Sequence, residues 1–246
     1  MKRFLMATAL IALTQPASAL DLKTMSDEER QIFREEVRAY LLDNPEVIME
    51  AVAVLEQRQA QDQVSADMNL VAANADAIFD DGYSWIGGNP EGDFTMVEFV
   101  DYRCGYCRRA HDEVKELVQA DGNIRLIVKE FPILGEDSEA SARFAIAVKN
   151  TLGAEAYAKV NDALIRLNTG INEVALRRLS ATLGFDAEPL LAMMDDASVT
   201  AEIQQTRLLA QRLQITGTPT FVMQDEMMRG YAPLDTMQQI VAQKRG

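Results

Sequence analysis

The chain has 246 residues, of which 48% are hydrophobic and 25% charged, and this ordinary globular composition excludes a wholly disordered protein. Its formal net charge of −14 disfavours nucleic acids and anionic membranes as partners, because their negative charge repels an acidic chain. Two cysteines and one histidine are too few for a closed structural zinc site, which draws its ligands mostly from these residue types.

Residues 1–19 have the pattern of a secretory signal: a positive start, a short apolar run from Phe4 to Leu13, and a small-residue cleavage site at Ala17-Ser18-Ala19. The run is too short to span a bilayer, and an uncleaved anchor or a buried helix is the alternative. The mature chain is expected to begin at Leu20, to stay out of the membrane and to reside in the bacterial periplasm. Its cysteines would then work in an oxidising compartment.

The segment 20–81 predicts a helical arm. Ser26 and Glu29 form a capping box near its start, and Pro45 interrupts the helical pattern. The arm ends in a heptad-like apolar stripe, which consists of Val64, Met68, Val71, Ala75 and Ile78. A helical arm this thin cannot bury such a stripe on itself. Self-association into a homotrimer or another homo-oligomer is therefore preferred, and packing on the main domain is the alternative.

Residues 82–246 predict an α/β domain. Strands are expected at Phe94–Val100 and Ile124–Glu130, with a helix from Cys104 to about Gln119 between them. A strand–helix–strand unit implies parallel pairing and a right-handed crossover. A block of helices is expected at about 137–213.

The end of the chain predicts a hairpin and a helix. A strand is expected at 218–223, a turn at Asp225-Glu226, and a helix from Pro233 onward. Met223, Met227 and Met228 flank the hairpin and form the only local cluster among 12 methionines. They suggest copper binding, for which core packing is the preferred alternative.

The motif that carries chemistry is Cys104-Gly105-Tyr106-Cys107, which follows a strand and opens a helix. A cysteine at a helix N-terminus lies among unpaired backbone N–H groups, at the positive end of the helix dipole. Both effects favour the thiolate, so the pKa of Cys104 should lie below that of a free cysteine. Cys104 is the predicted attacking sulfur, and Cys107, further into the helix, the resolving one.

The cysteine pair has two alternative uses. A structural disulfide would close a loop too short to stabilise the fold much. A metal site would need ligands beyond His111. Arg108, Arg109 and His111 follow on the same helix, and surface or packing roles are preferred for them. Thiol–disulfide chemistry is the stronger interpretation, because this motif after a strand is a specific signal.

The strand, the Cys-Gly-Tyr-Cys motif, the helical block and Thr218-Pro219 before a strand together resemble the DsbA branch of the thioredoxin-like thiol–disulfide oxidoreductases. The resemblance runs from about Tyr83 to the C-terminus and implies a thioredoxin-like fold with a DsbA-type helical insertion. The arm resembles the N-terminal oligomerisation segment of ScsC-like proteins (suppressor of copper sensitivity protein C).

The resemblance also implies roles for particular residues. Thr218-Pro219 would be a cis peptide facing the cysteines, with the Thr218 backbone free to pair with a substrate peptide. Glu98 would be a partly buried carboxylate that assists proton transfer at Cys107, and a solvent-facing strand residue is the alternative. Gly105 and Tyr106 would tune the redox potential; DsbA itself has a Pro-His pair there.

These features predict an oxidoreductase whose only redox group is the Cys104–Cys107 pair, with no other cofactor and no metal. Isomerase or reductase is preferred over a DsbA-like oxidase. One reason is the arm, since several sites facing one substrate raise the effective concentration; the other, by resemblance, is threonine at 218. Expected partners are cysteine-containing exported proteins and a membrane reductase of the DsbD or ScsB type. A copper-handling or chaperone-like binding protein is the alternative from another class.

Overall fold

A computed structural model describes residues 24–246, so the predicted signal at 1–19 lies outside the described residues. The helices are α1 (Asp27–Asp43), α2 (Glu46–Ala73), α3 (Ala75–Phe79), α4 (Gly105–Asp121), α5 (Glu136–Leu152), α6 (Ala154–Arg166), α7 (Glu173–Leu183), α8 (Ala187–Met193), α9 (Ala197–Arg212) and α10 (Leu234–Arg245). The strands are β1 (Trp85–Gly88), β2 (Phe94–Val100), β3 (Ile124–Glu130), β4 (Thr220–Met223) and β5 (Glu226–Arg229).

The chain divides into two compact units after Gln59. We call residues 24–59 the N-terminal unit and residues 60–246 the C-terminal unit. In the N-terminal unit, the predicted capping box is present: Ser26 Oγ accepts from the Glu29 N–H, and the Ser26 N–H donates to the Glu29 carboxylate. None of the residues of α1 is buried.

The C-terminal unit is built on a five-stranded sheet of order β1-β3-β2-β4-β5. Strands β2 and β3 are parallel, and the other neighbouring pairs are antiparallel. The parallel pair and α4 form the predicted crossover unit, and helices α5 to α9 form the predicted insertion. The thioredoxin-like α/β fold with its helical insertion is therefore confirmed.

Helices cover both faces of the sheet. On one face, Phe94 and Met96 of β2 pack with α4; on the other, Val97 and Phe99 pack with the end of α9. Because β2 is the central strand and both its faces are covered, all of its residues except the half-buried Thr95 lie in the protein interior. Glu98 belongs by this alternation to the α4 face.

The apolar stripe of the predicted arm is divided between solvent and core. Val71 and Ile78 are buried against the sheet face that includes Val97 and Phe99, whereas Val64 is exposed. Val71 and Ile78 thus follow the alternative given for this stripe, packing on the main domain, and self-association of the arm stays a prediction. The division after Gln59 accordingly lies before the predicted boundary at 81–82, because residues 60–81 contribute to the main core.

The short segment between α3 and β1 is fixed by a buried ion pair. The Lys129 ammonium is fully buried and donates to Asp81 Oδ2 at 2.5 Å, and Ser84 Oγ donates to the same oxygen at 2.6 Å. Burial is the first cause acting on the pKa of Asp81 and raises it, but Lys129 and Ser84 outweigh it, and the pKa is lowered overall. This contact ties the start of the α/β domain to β3.

Two local features differ from the sequence prediction. Strand β1 was not predicted; it is an edge strand whose Trp85 ring stacks on Tyr157 with centroids 5.2 Å apart. A side chain at Gly87 would meet that indole ring, so glycine is required there. The hairpin turn falls on Gln224-Asp225, one residue earlier than predicted, and Gln224 adopts a φ of 60°.

Candidate active site

Cys104 is the N-cap residue of α4, at the carboxyl end of the central strand β2. The turn before it closes through a 3.0 Å hydrogen bond from the Cys104 N–H to the Asp101 carbonyl. Its backbone is extended, and the N–H groups of Tyr106 and Cys107 in the first turn act on its sulfur. The side chain is 7% exposed.

The Cys104 thiol is acidified by its surroundings. The largest cause is a hydrogen bond from the Cys107 thiol, which lowers the pKa of Cys104. Burial acts in the opposite direction and raises this pKa. A hydrogen bond from the Thr218 side chain and the backbone N–H groups of Cys107 and Tyr106 lower it further. Together they lower the pKa of Cys104 to about 5. At neutral pH this sulfur is a thiolate, as its place at the helix N-terminus predicted.

Cys107 behaves in the opposite way. It is fully buried beneath Cys104, and burial, the hydrogen bond to Cys104 and the charge of Glu98 raise its pKa far above the ordinary thiol value. Glu98 is only 5% exposed, and burial raises its pKa to about 7. The solvent-facing alternative for Glu98 is excluded, because α4 covers this face of β2.

The Thr218-Pro219 peptide is cis and lies against the cysteines. Cys104 Sγ lies 3.1 Å from the Thr218 carbonyl oxygen, to which it donates when the thiol is protonated. The loop is held from its far side, where the Gly230 N–H donates to the Pro219 carbonyl at 2.9 Å. The structure therefore brings Cys104, Cys107, Thr218 and Pro219 together from segments more than a hundred residues apart, as the resemblance implied.

Asp101 was not singled out from the sequence, yet it organises the entry to α4. Its buried carboxylate accepts four hydrogen bonds, from the N–H groups of Arg103, Ile133 and Leu134 and from the Ser138 hydroxyl, at 2.8 to 3.1 Å. It thereby joins the turn before Cys104 to the loop between β3 and α5. The only signal in the sequence was an acidic residue at the end of a buried strand.

The residues that follow Cys107 on α4 are more constrained than predicted. Arg108 donates to the carbonyls of Tyr102 and Leu167, so it braces the turn against the insertion rather than facing solvent. Arg109 lies 4.4 Å from the centre of the Tyr231 ring. His111, the one histidine of the chain, forms a hydrogen bond between its Nε2 and Asp162 Oδ1 of α6 at 3.0 Å, which agrees with the predicted packing role.

Tyr106 is 61% exposed beside Cys104. Its ring stacks on Tyr231, with centroids 6.4 Å apart, and the Tyr231 hydroxyl donates to Glu113 at 2.7 Å. Gly105 has open space where a side chain would stand. The two residues between the cysteines thus form the outer surface of the site, and Tyr231 is a neighbour that the sequence did not indicate.

The methionine cluster packs in the core. Met223 is fully buried on the α4 face of the sheet, and Met227 is buried on the opposite face. The third member, Met228, packs on the α4 face. These sulfurs therefore do not converge on one point. Within residues 24–246, no group of three or more His, Cys, Asp and Glu side chains is placed to hold a metal ion.

Two protein families match different parts of the sequence. Residues 95–242 match the DSBA-like thioredoxin domain, and residues 29–62 match the Copper resistance protein ScsC N-terminal domain. The first match covers more than half of the chain and includes Glu98, both cysteines and the Thr218-Pro219 peptide. The second lies mostly in the N-terminal unit.

Solved structures share the fold. A thioredoxin-like oxidoreductase from Silicibacter pomeroyi DSS-3 is 42% identical and covers 69% of this chain and 96% of its own, with a TM-score of 0.65. A periplasmic thioredoxin-like protein from Salmonella enterica serovar Typhimurium is 25% identical and covers 69% and 94%, with a TM-score of 0.63. A linker-deletion mutant of Proteus mirabilis ScsC is 21% identical and covers 92% and 99%, with a TM-score of 0.65.

Curated relatives match over a small part of their own length. The Na(+)/H(+) antiporter NhaA 3 of Salinispora tropica is 25% identical over 137 residues, which make up 55% of this chain and 21% of that protein. The chain therefore spans about a fifth of that relative. In the part of this chain that the structure describes, no helix has both the length and the apolar character needed to cross a membrane.

Proposed function

The chain belongs to the DSBA-like thioredoxin domain family, and from this premise we propose that it is a thiol–disulfide oxidoreductase that acts through Cys104 and Cys107. One observation carries the proposal: an acidified sulfur at a helix N-terminus lies above a buried thiol and against the backbone of Thr218. A structural cysteine pair would have no need of such a difference in acidity. The low pKa of Cys104 supplies the nucleophile, and the raised pKa of Cys107 keeps the second sulfur protonated until the resolving step.

The proposed chemistry needs only the two sulfurs. The Cys104 thiolate attacks one sulfur of a substrate disulfide, a mixed disulfide forms, and the other substrate sulfur leaves as a thiolate. Cys107 loses its proton and attacks Cys104, which releases the second substrate sulfur and closes the Cys104–Cys107 disulfide. The substrate gains two electrons and the protein loses them, and the reverse sequence oxidises a substrate.

We assign the substrate contact to Thr218 and Pro219. An extended peptide can pair with the Thr218 backbone in strand fashion, which places its cysteine beside Cys104. Gly105 and Tyr106 form the exposed edge of this position, and their role would be to tune the stability of the reduced form and to contact the substrate. The contact between Cys104 Sγ and the Thr218 carbonyl supports this arrangement.

We assign proton transfer at Cys107 to Glu98. Cys107 needs a base because its thiol is buried, and Glu98 is a buried carboxyl whose charge already acts on that thiol. Burial raises the pKa of Glu98 to about 7, so the group is poised to exchange a proton near neutral pH.

The Glu98→Gln variant is expected to resolve mixed disulfides about 10-fold more slowly or worse, since general acid–base catalysis contributes at least this much. The pH profile of turnover should lose its inflection near 7, because glutamine does not titrate. The measurement is stopped-flow reduction of a peptide disulfide across pH. Glu116→Gln, which removes an exposed carboxyl of α4, is the matched control, and equal profiles for the two variants would contradict the assignment.

The same variant should change how stability depends on pH. Because the folded-state pKa of Glu98 is about 7 against an ordinary 4.5, the folded chain keeps a proton that the unfolded chain has released within this window. Stability from this group therefore falls as pH rises from about 4.5 to 7. Glu98→Gln avoids a cost on the order of 3 kcal/mol above pH 7, which urea unfolding followed by Trp85 fluorescence can measure.

We further propose that the protein is an isomerase or reductase that self-associates through the N-terminal unit, with a DsbA-like oxidase as the alternative. The N-terminal unit exposes large apolar side chains that a monomer would leave in water, among them Phe33, Tyr40, Leu42, Ile48 and Met49. Several sites held together raise the effective concentration of thiolate around one substrate. Threonine at 218 supports the same choice by resemblance to known isomerases.

Refolding of scrambled, oxidised ribonuclease tests this choice. The reduced protein should restore ribonuclease activity, and a chain that begins at Ala60 should restore far less of it at equal site concentration. The shortened chain keeps the entire C-terminal unit, so any difference reports on the N-terminal unit. Rapid oxidation of reduced ribonuclease by the disulfide form, without recovery of the scrambled enzyme, would instead identify an oxidase.

We place the protein in the periplasm, acting on exported proteins that contain cysteines. The signal pattern in residues 1–19 supports this location, as does the similarity to the periplasmic protein from Salmonella. A membrane reductase of the DsbD or ScsB type would return the Cys104–Cys107 disulfide to the dithiol, since an isomerase works from its reduced form.

A further inference from the structure

The C-terminal part of helix α2 reaches the loop that carries Thr218 through one side chain, Arg229 of β5. Arg229 Nη2 donates to Asp67 Oδ1 of α2 at 2.7 Å, and the Asp67 side chain is 7% exposed. The same guanidinium donates to the Gln214 carbonyl at 2.7 Å and to the Leu213 carbonyl at 3.1 Å. One planar group thus joins α2 to the segment that leads into the Thr218 loop.

The backbone around Arg229 holds the other end of that loop. Arg229 pairs with Thr220 in the β4–β5 ladder, and the next residue, Gly230, donates its N–H to the Pro219 carbonyl at 2.9 Å. Thr220 Oγ1 in turn donates to the Gly217 carbonyl at 2.9 Å. The residues between Gln214 and Thr220 are therefore fixed at both ends by Arg229 and its neighbour.

From these contacts we propose that Arg229 is a positioning residue, which holds the Thr218 loop against Cys104 and is itself held by Asp67. The loop reaches the reacting sulfur directly, since Cys104 Sγ contacts the Thr218 carbonyl at 3.1 Å. A shift of the loop would change the hydrogen bonds on that sulfur and the position of the substrate backbone.

Only arginine fits this position. Its guanidinium donates four hydrogen bonds at once: two to the Asp67 carboxylate and one each to the carbonyls of Gln214 and Leu213. Lysine carries a point charge that could still form an ion pair with Asp67. It could not also donate, in the same plane, to both carbonyls. Because the Asp67 carboxylate is buried, loss of the arginine would also leave a buried charge with no cation beside it and only the Gln63 amide as a hydrogen-bond donor.

The test compares Arg229→Gln, Arg229→Lys and Asp67→Asn with Arg177→Gln in the full chain. Arg177 bonds Glu173 and Glu188 on the surface of the insertion, so its variant is the matched loss of a bidentate arginine. The readouts are the pKa of Cys104, from the pH dependence of alkylation, and the KM and kcat for reduction of a peptide disulfide. Urea unfolding of each variant is measured in parallel.

Arg229→Gln is expected to raise the pKa of Cys104 by about half a unit, because the hydrogen bond from Thr218 weakens. KM should rise about threefold or more, with a smaller change in kcat, because substrate positioning is lost. Asp67→Asn should shift both in the same direction, Arg229→Lys should fall between wild type and Arg229→Gln, and Arg177→Gln should match wild type.

A lower unfolding midpoint for Arg229→Gln, with the pKa of Cys104 and KM unchanged, would overturn the proposal and leave Arg229 a structural residue. The KM readout rests on the proposed exchange activity, whereas the pKa of Cys104 does not. If the wild-type protein reduces no disulfide, the proposed function fails, and the alkylation profile alone decides the role of Arg229.

Discussion

Replacement of Cys104 by serine is expected to abolish thiol–disulfide exchange, with kcat/KM falling by more than about 1,000-fold, as for removal of other catalytic nucleophiles. The site lowers the pKa of the Cys104 thiol to about 5, and a serine hydroxyl in the same position stays protonated at neutral pH. No other sulfur in the chain can substitute, because Cys107 is buried with a strongly raised pKa. Reduction of a peptide disulfide measures the loss.

Cys107→Ser is the matched control, since it makes the same chemical change one helical turn further on. This variant keeps the attacking thiolate, so it should accumulate mixed disulfides with substrates that non-reducing electrophoresis detects. Exchange that survives in Cys104→Ser would contradict the enzyme proposal. Tight binding of one Cu(I) by the wild-type cysteine pair, together with an absence of exchange, would favour the copper-handling alternative.

A chain that begins at residue 82 is expected to be far less stable than one that begins at Ala60. Residues 60–81 supply Val71 and Ile78 to the core, worth roughly 1.5–3 kcal/mol each. They also supply Asp81, and its loss leaves the fully buried Lys129 ammonium unpaired, at a cost of roughly 3–5 kcal/mol. The summed loss is comparable with the total stability of an ordinary domain, about 5–15 kcal/mol.

Urea unfolding of the two shortened chains tests this expectation, with fluorescence of Trp85, the one tryptophan, as the common signal. The chain from Ala60 should unfold cooperatively near the midpoint of the full protein, and the chain from residue 82 should unfold at much lower urea or fail to fold. Similar midpoints would refute the contribution of residues 60–81. Asp81→Asn in the full chain isolates the ion-pair part of the effect.

Much of the fold could be predicted because local signals and tertiary contacts agree. The apolar runs of β2 and β3, the Cys-Gly-Tyr-Cys motif at a helix start and the glycine-punctuated insertion each specify their element without distant information. The edge strand β1 carried no such signal, since half of its four residues are glycines, which weaken strand propensity. Its formation depends on antiparallel pairing with β3 and on the contact between Trp85 and Tyr157.

The candidate site was predictable where its chemistry is local. Cys104 gains its low pKa within one helical turn, so its placement could be argued from the motif alone. The burial of Glu98 could not be derived in this way, because alternation along a strand does not reveal whether a second layer covers each face. Asp101 and Arg229 were missed for a related reason: the partners that give them their roles include Ile133, 32 residues from Asp101, and Asp67, 162 residues from Arg229.

The same distinction explains why the sequence left two coverings open for the apolar stripe. Heptad spacing in Val64, Met68, Val71, Ala75 and Ile78 says that one helix face is apolar and leaves open what covers it. The pattern is the same whether a sheet face of the same chain or a second subunit covers that helix face. Only the position of Val71 and Ile78 in the core separates the two possibilities.

The division of the chain after Gln59 has a consequence for valency. Within residues 24–246, the groups recorded against the Cys104 sulfur belong to Tyr106, Cys107 and Thr218, all in the C-terminal unit. Under the proposed self-association, the chemistry of one site and the number of sites per particle would therefore be determined by separate stretches of sequence. Replacement of the residues up to Gln59 by a helical segment that assembles a different number of chains would change the avidity for a substrate with several disulfides. The rate constant of each individual site would stay the same.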